Sequence, residues 1–133
     1  MKPQDFIALI GPVAQASRLQ TGIPASFVVA QAALESGWGE SGLAKRAMNL
    51  FGIKADRSWT GQRITLNTRE FLNKQWVVIP ADWRAYPDWQ TCLVDHGQFL
   101  RRNNELIDAS MALRMEGKLG GPVACIQGII LQQ

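Results

Sequence analysis

Between residues 51 and 86 the chain changes texture. On either side, apolar residues recur at helical spacing. Inside, "FGIK", "RITLNTREF" and "QWVVIPADWRAY" are short runs rich in β-branched and aromatic residues, separated by turn formers. A period of two and a period of 3.6 bury different faces, so a segment of one kind does not rest as the other. A chain of 133 residues suits one domain, 1–133, with a core of its own. The expected fold is therefore α+β and mainly helical, with a small antiparallel β lobe, about 51–86, inserted between helices.

The helical parts have legible ends. Residues 3–19 predict a first helix: Pro3 suits an opening turn, Asp5 suits an N-terminus, and Phe6, Ile10, Val13 and Ala14 share a stripe. Pro12 inside that run predicts a kink or a break. After "TGIP", residues 24–36 predict a second helix with Pro24 in its first turn. Phe27, Ala30 and Leu34 form its stripe, flanked by Val28 and Ala32. Gly37 and Gly39 stop it, because glycine takes the left-handed cap conformation cheaply. A short helix fits 40–47. In the β lobe, Ile64, Leu66 and Thr68 alternate as in a half-exposed strand. Helix returns over 88–102, with Trp89, Cys92, Leu93, His96 and Leu100 near one face, and a further one fits 104–115.

Composition excludes several classes. The net charge of +3 favours anionic surroundings, but Lys45-Arg46 and Arg101-Arg102 are only pairs, so no nucleic-acid stripe is expected. No run of 18 apolar residues exists, so no membrane insertion is expected. The opening "MKPQDFIALIGPVAQAS" is interrupted by polar residues and does not read as a signal peptide. Cys92 and Cys125 allow one bridge that nothing requires. A single histidine rules out a His-rich zinc amidase site, so no metal is expected. Five tryptophans either fill a core or line a groove for a hydroxyl-rich ligand; core filling is the commoner use of any one of them.

The chemistry begins at "AQAALESGWGESGLA", residues 30–44. Glu35 closes an apolar helix, where the macrodipole presents negative charge, and Trp38 follows at once. Both features would favour the protonated acid, which is what a general acid needs. On this local pattern alone, a solvated helix-end glutamate is the commoner case. A glycosidase also needs a second carboxylate across the scissile bond. Asp56, Glu70, Asp82, Asp88 and Asp95 are the candidates. Glu70 shares a strand face with Thr68 in a lobe able to fold over a groove. Cys92 and His96, four apart on one helix face, form a rival nucleophile–base pair. A small buried cysteine and a core histidine are the commoner roles.

The segments "IPASFVVAQAALESGWGESGLA", "NLFGIKA", "WTGQ", "TREF", "WRAYPDW" and "DHGQFL" together resemble, in order and spacing, the glucosaminidase family of peptidoglycan hydrolases. This is glycoside hydrolase family 73, which includes the wall-cutting domain of the flagellar rod-assembly protein, autolysins and phage lysins. The resemblance covers residues 3–102. It implies a lysozyme-like fold and an endo-β-N-acetylglucosaminidase that cuts peptidoglycan glycan strands without a cofactor. By the resemblance Glu35 is the general acid, Glu70 the second acidic residue, and Tyr86 an aromatic hydroxyl near the acid. Trp38, Asn49, Phe51 and Trp83 fall where the family builds its glycan groove, although phenylalanine more often stands at position 83. Residues 103–133 carry neither of the family's late motifs. The implied setting is the bacterial wall, reached by a monomeric, phage-type lysin made in the cytoplasm and released with a holin. An N-acetylmuramidase, or a glycan-binding or phage structural module without chemistry, are the alternatives.

Overall fold

The computed structural model describes residues 1–102, in the order α1 (Pro3–Thr21), α2 (Ala25–Ser36), α3 (Gly42–Ala47), β1 (Arg63–Leu72), β2 (Gln75–Arg84) and α4 (Trp89–Arg102). The expected further helix at 104–115, the tail and Cys125 lie outside the described residues.

Helix α1 opens with Pro3 and ends at Gly22, whose left-handed backbone (φ 74°) returns its N–H to Arg18 O at 2.8 Å. The break expected at Pro12 does not occur, and α1 is one helix across it. Proline removes one N–H, and here the partner it would have reached, the Ala8 carbonyl, belongs to an exposed residue, so no buried group is left unpaired. Phe6, Ile10 and Ala14 are buried as expected; Val13 is half-buried, and Ile7 joins them.

Helix α2 starts at Ala25, with Pro24 as its cap rather than in its first turn. Its core face is shifted from the expected one: Ala30, Val28 and Ala32 are buried as expected and Val29 and Ala33 join them, while Phe27 and Leu34 are half-buried. Small residues dominate because α2 is packed on several sides at once, and alanine lets neighbouring backbones approach. The buried groups of α1, α2 and α4, among them Ile10, Val29 and Leu93, form one core with Leu50 and Phe51. Gly97 lets α4 lie close on α1, since a Cβ there would collide with the Thr21 side chain.

The β lobe is a two-stranded antiparallel hairpin, with Leu72 opposite Gln75 and Arg63 opposite Arg84. Asn73 and Lys74 turn it, both left-handed (φ 50° and 64°), the conformation a two-residue hairpin loop requires. The strand expected at 51–54 reduces to one bridge, Lys54 to Trp83. Gly52 is left-handed there (φ 65°), and the Asn49 side chain takes the backbone groups that a sheet would use. The hairpin's base is tied to the helical part by Tyr86 N–H to Ala47 O at 2.8 Å and Ala55 N–H to Asp82 O at 2.9 Å.

Candidate active site

The end of α2 is built to present one side chain. Gly37, Trp38 and Gly39 are all left-handed (φ 58°, 58° and 80°), so the chain reverses immediately after the helix. Ser36 fastens the reversal: its hydroxyl donates to Ala32 O at 2.6 Å and accepts from Gly39 N–H at 2.9 Å. Gly39 is needed for space as well, because a Cβ there would stand 3.3 Å from the Phe6 ring. Trp38 sets its ring edge-on to Phe6, 5.8 Å between centroids, and thereby pins the turn to α1.

Glu35, the last but one residue of α2, is exposed and lines a cleft of about 420 Å³. The water-excluding surroundings expected for it are absent, because Trp38 packs on Phe6 and is not among the cleft-lining residues. The other walls come from α2 and α4 (Gln31, His96, Phe99) and from the 51–56 segment (Phe51, Lys54, Asp56), with Arg84 behind. Helix end, loop and hairpin base thus meet around the Glu35 carboxyl, with the Asp56 carboxyl also in the lining.

Glu70 stands on the half-buried face of β1, as the alternation requires, and takes an ion pair from Lys54 at 3.1 Å. Lys54 lines the cleft, so it connects Glu70 to the space in front of Glu35. Trp83, opposite Ile64, donates its indole N–H to Leu66 O at 3.2 Å, and Lys54 Nζ lies 5.7 Å from its ring centre. Phe51 lines the cleft and stacks on the His96 ring, centroids 3.7 Å apart and planes within 10°.

Asn49, expected in the groove, and Tyr86, expected near the acid, have other partners. Asn49 is 1% exposed; its amide donates to Ile53 O and Arg84 O, and its carbonyl accepts Ile53 N–H. It holds the cleft-forming loop to the hairpin. Tyr86 is buried, packs edge-on to Trp59, and donates its hydroxyl to Asp95 Oδ2 at 2.6 Å. Burial first, and that carboxylate second, push its hydroxyl well above the ordinary phenol range, so it stays protonated. It does not line the Glu35 cleft.

Arg84 is the residue the sequence did not single out. It is buried at the end of β2, donates to Asp95 Oδ2 at 2.8 Å and to Lys54 O at 3.2 Å, and lies 4.6 Å over the Trp59 ring. It also approaches Asp56 at 3.7 Å. Hydrogen bonding from Ser58 in the first place, with Arg84 adding to it, holds the Asp56 carboxyl below its usual range. A buried guanidinium always needs such partners, but no spacing rule links positions 56, 84 and 95.

The rival cysteine–histidine pair fails on its own chemistry. Burial pushes the Cys92 thiol up to about 12 and the His96 imidazole down to about 4. The nucleophile would be a neutral thiol, and the histidine is stacked on Phe51 and hydrogen-bonded to Gln31.

Comparison with known proteins agrees with this geometry. Residues 11–120 match the glucosaminidase family model, described as mannosyl-glycoprotein endo-beta-N-acetylglucosaminidase. The chain is 38% identical over 104 residues to the peptidoglycan hydrolase FlgJ of Vibrio parahaemolyticus, covering 76% of this chain and 34% of that protein. It is 39% identical over 100 residues to an autolysin of Enterococcus faecalis, covering 74% of this chain and 13% of the other. It therefore spans about a third or less of the curated relatives it matches. Among solved structures, the catalytic domain of the autolysin Auto from Listeria monocytogenes aligns with TM-score 0.68 at 38% identity, over 74% of this chain and 56% of that one. A truncated glycoside hydrolase domain of Salmonella typhimurium FlgJ aligns with TM-score 0.67 at 29% identity, over 98% and 97%.

Proposed function

The chain belongs to the glucosaminidase family, and from that premise we propose that it is a peptidoglycan hydrolase of the endo-β-N-acetylglucosaminidase type. The observation that carries this reading is the exposed Glu35 carboxyl, presented by a rigid helix end into a cleft large enough for sugar rings. Glu35 protonates the glycosidic oxygen as the bond to the leaving sugar breaks. Substrate that fills the cleft displaces water from around the Glu35 carboxyl, which is otherwise exposed.

Glu70 is the second carboxylate, on the hairpin face that continues into the cleft through Lys54. It activates or orients the group that attacks the sugar. Phe51 and Trp83 offer aromatic surface to the glycan. Tyr86, Arg84 and Asp95 act together as a rigid brace between β2 and α4, and Asn49 and Trp38 hold the two loops that shape the cleft.

The setting is the bacterial wall, which is where the names of the relatives point. Those relatives are the peptidoglycan hydrolase FlgJ of several bacteria and an autolysin. The phage origin, the holin and the monomeric state are further parts of the proposal, and they rest on the sequence alone. Mass spectrometry of borohydride-reduced digestion products tests the cleavage site: reduced N-acetylglucosamine ends are expected, and reduced muramic acid ends would replace this reading with a muramidase.

A further inference from the structure

One wall of the cleft is more organised than the chemistry above uses. Gln31 stands four residues before Glu35 on α2, so the two side chains are neighbours on one helical face, and both line the cleft. The Gln31 carbonyl oxygen lies 2.8 Å from His96 Nε2. His96 is 4% exposed, its ring is clamped flat against Phe51, and its Nδ1 is buried with no partner among the described residues.

That orphaned nitrogen fixes the hydrogen positions. Burial pushes the imidazole down to about 4, so at neutral pH it carries one N–H. If the proton sat on Nδ1, a buried N–H would be left without an acceptor, which folded proteins rarely allow. With the proton on Nε2, the orphan is only a lone pair, and Nε2–H donates to the Gln31 oxygen. The amide is then locked in one orientation. Its oxygen is occupied, while its nitrogen has no protein partner among the described residues and belongs to a side chain lining the cleft.

We propose that Gln31 is a substrate-contact residue that donates its amide N–H to the carbonyl oxygen of a sugar's N-acetyl group, and that His96 is the positioning residue that aims it. The lining of the same cleft includes Phe51 and Phe99, an apolar surface suited to the acetyl methyl. An acceptor oxygen beside a methyl group is the signature of an acetamido substituent; a free hydroxyl or amino group has no methyl to place there. The site lies one helical turn from Glu35, so it would set which sugar stands next to the acid. This inference rests on the reading of the substrate as an N-acetylated glycan.

The test is steady-state kinetics on soluble peptidoglycan glycan strands with the full chain. Losing one hydrogen bond of ordinary strength should raise KM about tenfold in Gln31→Met. Its kcat should stay within about threefold, while its melting temperature falls modestly, because the buried His96 Nε2–H loses its acceptor. His96→Phe keeps a ring against Phe51 but cannot donate, and should show the same rise. The double variant should be no worse than either single one, because both remove the same contact. An unchanged KM in Gln31→Met, a loss of melting temperature together with kcat, or effects that multiply in the double variant would each overturn the inference. Gln31→Met alone decides if His96→Phe does not fold. Failure of the unsubstituted protein to release sugar ends would overturn the glucosaminidase reading along with it.

Discussion

Lys54 Nζ meets Glu70 Oε1 at 3.1 Å, joining the wall of the Glu35 cleft to the hairpin that arches beside it. The pair is partly solvated, so it contributes little to stability, on the order of 0–1 kcal/mol. Its consequence is positional. It holds the Glu70 carboxylate to a lysine that lines the cleft. Under the proposed mechanism, Glu70→Gln should lower turnover by about 10²-fold or more if Glu70 is a general base, and by less if it only orients the attacking group. Turnover on sacculi checks this. Azide that restores the rate of the variant marks Glu70 as the group that activates water; azide without effect marks it as an orienting group.

Asn49 should matter through folding rather than through sugar contact. Asn49→Ala removes three hydrogen bonds to Ile53 and Arg84 and takes away the acceptor of Ile53 N–H. A loss of about 3 kcal/mol is expected in urea unfolding. A variant with normal stability and a raised KM would instead assign Asn49 to the glycan.

Gly97 should tolerate nothing larger. In Gly97→Ala the new methyl meets Thr21 where α4 crosses α1, and overpacking of this kind costs about 1–3 kcal/mol. Thermal melting reads this directly, and Thr21→Ala in the same chain should recover part of the loss.

His96 gives stability a pH dependence of definite sign. Its folded value, about 4, lies below the ordinary one of about 6.5, so the unfolded chain binds the extra proton between them. The contribution of this site is therefore constant above about 6.5 and falls as pH drops toward 4, by roughly 3 kcal/mol across the window. Urea midpoints measured from pH 7 to pH 4 should show the slope, and His96→Phe should flatten it.

The helices and the hairpin were legible because burial on one face leaves a periodic trace, as in Phe6, Ile10 and Ala14 of α1 and in Ile64, Leu66 and Thr68 of β1. Glycine positions gave the stops, and Gly37 ends α2 as read. Pairings across the fold left no such trace. Arg84 with Asp95 and His96 with Gln31 are separated by 11 and 65 positions, and neither spacing follows from a helix or a strand. The roles that the resemblance implied for Asn49 and Tyr86 could not be weighed against their partners for a related reason. A polar or hydroxylated side chain near a groove reads the same whether it faces the ligand or braces the loop, and only the partners distinguish the two. Glu35 was located by its helix end, but its exposure depends on where Trp38 turns, and that is decided by Phe6, 32 residues earlier.

The most direct test of the account is the rate at which new reducing sugar ends appear from purified sacculi, compared between the unsubstituted protein and Glu35→Gln. Glutamine is nearly the same size but has no proton to give, and Glu35 is exposed, so the fold should be undisturbed. The account predicts a fall of about 10²–10⁴-fold or more with an unchanged circular dichroism spectrum and melting temperature. Near-normal release of reducing ends by Glu35→Gln would contradict it.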